Sequence, residues 1–207
     1  MYSSLQYVTP PAVEPVPVEL VRQHLRVDYE DDALLTFYAT TAREQVEAFL
    51  GRALITQTLR WTMASAPPPV GYPYISPIAV IVPLWVNWPV FIRRPIELPR
   101  SPTQSVASIT WTNWGQPDTL DPSQYHIDQT EPWRIRLPFF NAVEGGSLQI
   151  VFTAGYGATG AAVPASIRHA LLMVTAMLYE RRGDDGGELP DAAYKLLAPF
   201  RVFTFAG

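Results

Sequence analysis

The sequence predicts an α+β chain that is mainly a helical bundle. Two long helices with short N- and C-terminal helices are joined to a small antiparallel β-section and a long proline-rich insertion. Three observations predict this. Two stretches, about 31–50 and 164–182, repeat apolar residues at spacings of three and four, the period of a helix that buries one face. Between them, short runs such as 58–63 and 147–153 alternate apolar and polar residues, the period of a half-buried strand. Most of the 21 prolines fall within 10–17 and 67–102, marking extended segments.

Taken in order, residues 1–16 read as an extended N-terminal arm, ending in the proline-rich lead-in Pro10 to Pro17. A short helix follows from about Pro17 to Leu25, with Val18, Val21 and Leu25 on one face. Glu30, Asp31 and Asp32 place acid where the next helix begins and its macrodipole favours negative charge. In that helix Leu35, Tyr38, Ala42, Val46 and Phe49 form the apolar stripe, with Arg43, Glu44 and Glu47 off it. Gly51 supplies the stop.

A β-section is expected over 54–153. Leu59, Trp61 and Met63 alternate with Thr58, Arg60 and Thr62; Ala107, Ile109 and Trp111 share a face; Asn113 to Gln116 reads as a turn. Tyr125–Asp128, Arg134–Leu137 and Ser147–Thr153 complete four or five antiparallel strands. Pro164 then suits a first helical position. Ile167, Ala170, Leu171, Val174, Met177 and Leu178 make the stripe of the second long helix. Asp184 to Glu188 is a polar linker, Pro190 to Leu197 a last short helix, and 201–207 a tail beyond a domain of 17–200.

The composition excludes several classes of function. The 207 residues suffice for one domain with elaborations. With no cysteine there is no disulfide framework, thiol nucleophile or cysteine-ligated metal. A net charge of -4 argues against a protein that grips nucleic acid by neutralising phosphates. Met1 to Pro10 lacks the basic and apolar regions of a signal peptide. The longest apolar run, Ile78 to Ile92, is interrupted by Pro83 and Pro89 and falls short of the ~20 residues a spanning helix needs.

No catalytic constellation emerges. His24, His126 and His169 are scattered over different elements. Asp31/Asp32 and Asp184/Asp185 sit at a helix start and in a linker, where carboxylates are ordinary. Gly155-Tyr156-Gly157 with Gly160 lies between a strand and a helix, but without the lysine and hydroxyl of a phosphate-binding loop. It reads as a turn that needs positive φ. No catalytic residue, metal or cofactor is expected. Arg60/Trp61, Arg93/Arg94 and Trp133/Arg134/Arg136 interleave arginine with aromatics, which can stack single-stranded bases but, at this acidic charge balance, reads rather as a sheet face or protein interface.

The order of short segments is familiar. His24-Leu25-Arg26-Val27-Asp28 precedes an acidic helix start, and Ala42-Arg43, Val46-Glu47 and Gly51-Arg52-Ala53-Leu54-Ile55 follow. Later come Leu98-Pro99-Arg100-Ser101-Pro102, Thr153-Ala154-Gly155-Tyr156-Gly157 and Val163-Pro164-Ala165-Ser166-Ile167. Tyr179-Glu180-Arg181-Arg182 and Leu196-Leu197-Ala198-Pro199-Phe200-Arg201 close the series. From about Val18 to Arg201, apart from the insertion at 67–95, the chain resembles tailed-phage head–tail connector (adaptor) proteins, which also occur in gene transfer agents and prophages.

That resemblance implies a non-enzymatic homo-oligomeric ring, typically of twelve copies, in the neck of a virion or phage-like particle assembled in the bacterial host cytoplasm. Its partners would be the portal protein and the next neck or tail component (a stopper or terminator). DNA would pass through without sequence-specific binding, and no membrane would be involved. The alternative reading is a small intracellular hydrolase or nucleic-acid-processing domain. Two sets of contact residues are expected. Tyr72, Tyr74, Trp85, Trp88 and Phe91 of the insertion would meet a neighbouring subunit or neck protein, or else fold over their own sheet. Phe200, Arg201, Val202, Phe203 and Phe205 would bind the portal, by strand addition or pocket filling, or else fold back on their own core.

Overall fold

The computed structural model describes residues 2–27, 32–64, 95–113, 115–137, 146–181 and 188–202. Tyr72, Tyr74, Trp85, Trp88 and Phe91 of the insertion lie outside the described residues, as do Phe203 and Phe205. Among the described residues, four α-helices form where periodicity places them: α1 (Val18–Leu25), α2 (Asp32–Leu50), α3 (Ala165–Arg181) and α4 (Asp191–Leu197).

The expected mainly helical bundle is not what they build. Among the described residues, the helices share the molecule with eight strands in two antiparallel sheets. The larger sheet has the order β1-β2-β8-β4-β5, formed by β1 (Tyr2–Thr9), β2 (Gln57–Ala64), β8 (Ser147–Ala154), β4 (Thr103–Asn113) and β5 (Gln116–Thr119). The smaller has the order β3-β7-β6, formed by β3 (Ile96–Glu97), β7 (Arg134–Arg136) and β6 (His126–Asp128). The β-content was underestimated because two edge strands carry little apolar signal. β1 comes from the N-terminal arm and sends Leu5 to the core, while β5 is exposed along its whole length. Strands of this kind are specified by backbone pairing with a neighbour distant in sequence, which local periodicity does not register.

Register puts the apolar residues on one face. Leu5, Trp61, Ile150 and Ile109 are aligned across β1, β2, β8 and β4. The small sheet covers that face: Leu98 and Ile135 join Leu59, Ile109, Ile150 and Phe152 in one cluster. Each large side chain buried there contributes roughly 1.5–3 kcal/mol. A second cluster lies within the helical layer, where Leu35, Ala42 and Val46 of α2 meet Ile167, Ala170 and Val174 of α3, with Ala193 and Leu197 of α4.

The two cores meet where 51–57 runs beside 153–157. Tyr156 N–H donates to Leu54 O at 3.1 Å and Thr56 N–H to Gly157 O at 2.9 Å. Gly155 takes φ +139°, and a Cβ there would stand 2.5 Å from the Ile55 carbonyl, so this close approach admits glycine alone.

Candidate functional site

At this junction α2 carries two charged residues into the interior. Arg43 is 4% exposed and Glu47 1% exposed, although spacing placed both off the apolar stripe. One helical turn apart, they lie on the side of α2 covered by the N-terminal linker and the entry to β2. Arg43 Nη1 donates to Glu47 Oε2 at 3.2 Å, and Arg43 Nε to Glu14 Oε2 at 2.9 Å. Thr40 Oγ1 donates to the other Glu14 oxygen at 3.0 Å.

Glu47 Oε1 in turn accepts Leu54 N–H at 2.8 Å and Gln57 Nε2 at 3.2 Å. A buried backbone N–H left without a partner is costly, and the chain entering β2 finds its acceptor in this carboxylate. Arg100, on the segment leading to β4 and at φ +71°, reaches the Glu47 backbone carbonyl. Burial pushes the Glu47 carboxyl above its usual range, against the pull of Leu54 N–H and the Arg43 and Arg100 guanidinium groups. For Arg43, burial works toward a lower pKa, but Glu14 and Glu47 prevail and the guanidinium is held above its usual value. Apart from Gln57 Oε1, which is buried without a hydrogen-bond partner among the described residues, the polar groups named here are committed to another part of the chain. The arrangement is a clamp fastening linker, α2, β2 and the Arg100 segment together.

The residues expected to bind the portal begin on the same end of α2. Phe200 packs against the helical core and its carbonyl accepts Arg52 Nε at 2.5 Å. The Arg201 guanidinium lies over the Phe49 ring, 4.9 Å from its centre. Val202 N–H donates to Leu50 O at 2.9 Å. Phe200 to Val202 are thus brought together beside the C-terminus of α2.

The remaining sequence candidates are not brought together. His24 ends α1, His126 begins β6 and His169 sits in α3, all exposed. Asp32 pairs with Arg22, tying α2 to α1. Asp31, Asp184 and Asp185 lie outside the described residues. The Gly155–Gly157 segment spends its backbone on the junction: Gly155 N–H goes to Pro102 O and Tyr156 N–H to Leu54 O. Among the described residues, no group of three or more histidines and carboxylates is placed to hold a metal ion.

Two surface features of the helical layer complete the geometry. Leu34 and Phe37 are exposed on the outer side of α2, Phe37 to 65%. On α3 and α4 an open groove of about 820 Å³ runs past Met173, Met177, Leu189 and Pro190. A second depression of about 620 Å³, lined by His169, Lys195 and Leu196, adjoins it at Met173 and Ala192. Sequence reasoning passed over Leu34 and Phe37, yet their signal was there: two large apolar residues at the wrong helical angle for the Leu35 stripe.

No family model matches the sequence, and no curated protein does. Solved structures match over nearly the whole chain. A chain from the neck of an empty gene transfer agent particle, computed with C6 symmetry, superposes with a TM-score of 0.70 at 22% identity, covering 99% of this chain and 98% of that one. A chain from the virion of a native gene transfer agent particle gives 0.66 at 24% identity, covering 98% of each.

The chain has the fold of a gene transfer agent neck protein. A chain from the neck of the native particle, computed with C12 symmetry, agrees, with a TM-score of 0.65 at 24% identity over 99% of this chain and 98% of that one. At the level of fold, the neck-protein resemblance read from short ordered segments is borne out. The helical layer, the paired sheets and the junction between them therefore belong to one neck-protein architecture.

Proposed function

We propose that this chain is a structural, non-enzymatic component of the neck of a phage-like particle. In this reading it forms a homo-oligomeric adaptor ring between the portal and the next neck or tail component, and DNA passes through the ring. The observation that carries the reading is the end-to-end match, over 98% or more of both partners, to chains of gene transfer agent particles, two of them from necks. Cyclic symmetry of the matched necks supports a ring of copies.

Within it, the tail from Phe200 through Phe205 is the portal contact. The fixed start at Phe200–Val202 gives that segment a defined point of departure. Tyr72, Tyr74, Trp85, Trp88 and Phe91 face the neighbouring subunit or neck protein. Deleting the gene should leave DNA-filled heads without tails in negative stain, with tails restored by complementation. Tailed particles from the deletion strain would refute the reading. Truncation after Val202 should keep the melting temperature within about 2 °C, since it removes none of the contacts above. It should also abolish co-sedimentation with portal-bearing heads, and normal binding would refute the assignment of Phe203 and Phe205 to the portal contact.

A further inference from the structure

We propose that copies of this chain join side by side, the outer face of α2 of one copy, headed by Phe37, seating in the α3–α4 groove of the next. This rests on the ring reading above and states which surfaces would close it. A closed ring of more than two copies uses two different patches on each subunit. In a large ring neighbours are related by a small rotation, so those patches lie on nearly opposite sides.

The helical layer carries such a pair. In α2 the buried residues Leu35, Ala39, Ala42 and Val46 face the helical core, which leaves Phe37 on the far side. In α3 the buried residues Ile167, Ala170, Leu171 and Val174 face that same core, which leaves His169 on its far side and the half-buried Met173 and Met177 on its flank, in contact with the core's edge. The two outer faces therefore point away from each other. One bears a protruding aromatic ring, the other a groove with methionine walls, whose flexible side chains adapt to an inserted ring.

Charge agrees with the register. The Tyr38 and Tyr179 rings lie 6.2 Å apart, so the start of α2 packs beside the end of α3 and the two helices are antiparallel. A small rotation preserves direction, so α2 of one copy also meets α3 of the next antiparallel. With Phe37 seated at Met173, Glu44 lies about 10 Å further along α2. That places it toward the start of α3, where His169 and Lys195 line the depression that adjoins the groove at Met173. The Glu44 side chain is 56% exposed and its approach to Arg43 within its own chain is a long 3.8 Å.

The chain has no cysteine, so an introduced pair reports on this contact alone. Phe37→Cys/Met173→Cys places one thiol on the outer face of α2 and the other on the groove flank of α3, with the helical core between them, so an oxidised disulfide between them forms across copies. The double variant should give a ladder beyond the dimer on non-reducing gels, while each single variant stops at the dimer. In mass photometry Glu44→Lys and Lys195→Glu should each weaken association about tenfold, and the two together should restore it. Absence of the ladder, or charge reversal without mutual rescue, overturns this pairing. Rings that persist in negative stain with Phe37→Asp would overturn the pairing and leave the ring reading standing. A ladder from copies that form only open filaments would overturn the ring reading and leave the pairing standing.

Discussion

Replacing Arg43 by methionine tests the buried clamp most directly, because it keeps the bulk and removes the charge. Of the three carboxylates that lose their partner, Glu44 and Glu14 are exposed or partly exposed, with 56% and 24% of their side chains accessible, and can return to water. Glu47, 1% accessible, cannot. It must either remain charged without its guanidinium or take up a proton. The proton sets a ceiling on the cost. Starting from an ordinary carboxyl pKa of about 4.3, and at about 1.4 kcal/mol per unit, holding Glu47 neutral at pH 7 costs about 3.7 kcal/mol. Leu54 N–H and Gln57 still support the anion in the variant, so we expect a loss of about 2–3 kcal/mol at pH 7. For a chain of this size that lowers the melting temperature by about 4–12 °C.

The loss depends on pH with a definite sign. The folded pKa of Glu47 is raised, so this group favours folding below the ordinary carboxyl value, and that contribution fades as pH rises through the folded value. Removing Arg43 raises the folded pKa further and carries the fading to higher pH. At pH 5 the ceiling drops to about 1 kcal/mol. Urea denaturation of Arg43→Met and the native chain at both pH values measures this. Glu47→Gln should cost only about 1–2 kcal/mol, because the amide oxygen can still accept Leu54 N–H. The double variant should cost less than the sum of the singles. A loss independent of pH, or strict additivity, would refute the clamp.

Three other substitutions probe the packing. Gly155→Ala forces a Cβ to 2.5 Å from the Ile55 carbonyl at positive φ, and should cost more than about 2 kcal/mol in thermal denaturation. Gly160→Ala puts a Cβ 2.3 Å from the Pro15 carbonyl oxygen, which should lift the linker off and free Glu14 from Arg43. Hydrogen–deuterium exchange at the linker amides of Glu14 and Val16 should then be faster than in the native chain. Phe152→Ala empties the centre of the β-core and should lower stability by about 3–5 kcal/mol in urea.

Much of the fold was legible in the sequence. α2, α3 and β8 announce themselves because each buries one face along its length: in β8, Leu148, Ile150, Phe152 and Ala154 alternate with partly exposed neighbours, as read. The Gly155–Gly157 segment reads as a turn with a position that needs positive φ, and the structure puts that position at Gly155, against the Ile55 backbone. The clamp was not legible. Arg43 and Glu47 look like solvated residues by type and by angle, and become interior only when the linker and β2 close over that side of α2.

What the sequence determined by itself is everything periodic: which stretches are helix or half-buried strand, where they stop, and in what order. The tertiary structure alone decided that β1 joins the sheet and that the β-section rivals the helices. It alone also showed that a buried ion pair holds the two layers together. The physical reason is common to all three. A period records which side of an element avoids water, whereas an edge strand and a buried charge are stabilised by partners far along the chain: β2 for β1, and Glu14, Leu54 and Gln57 for Arg43 and Glu47.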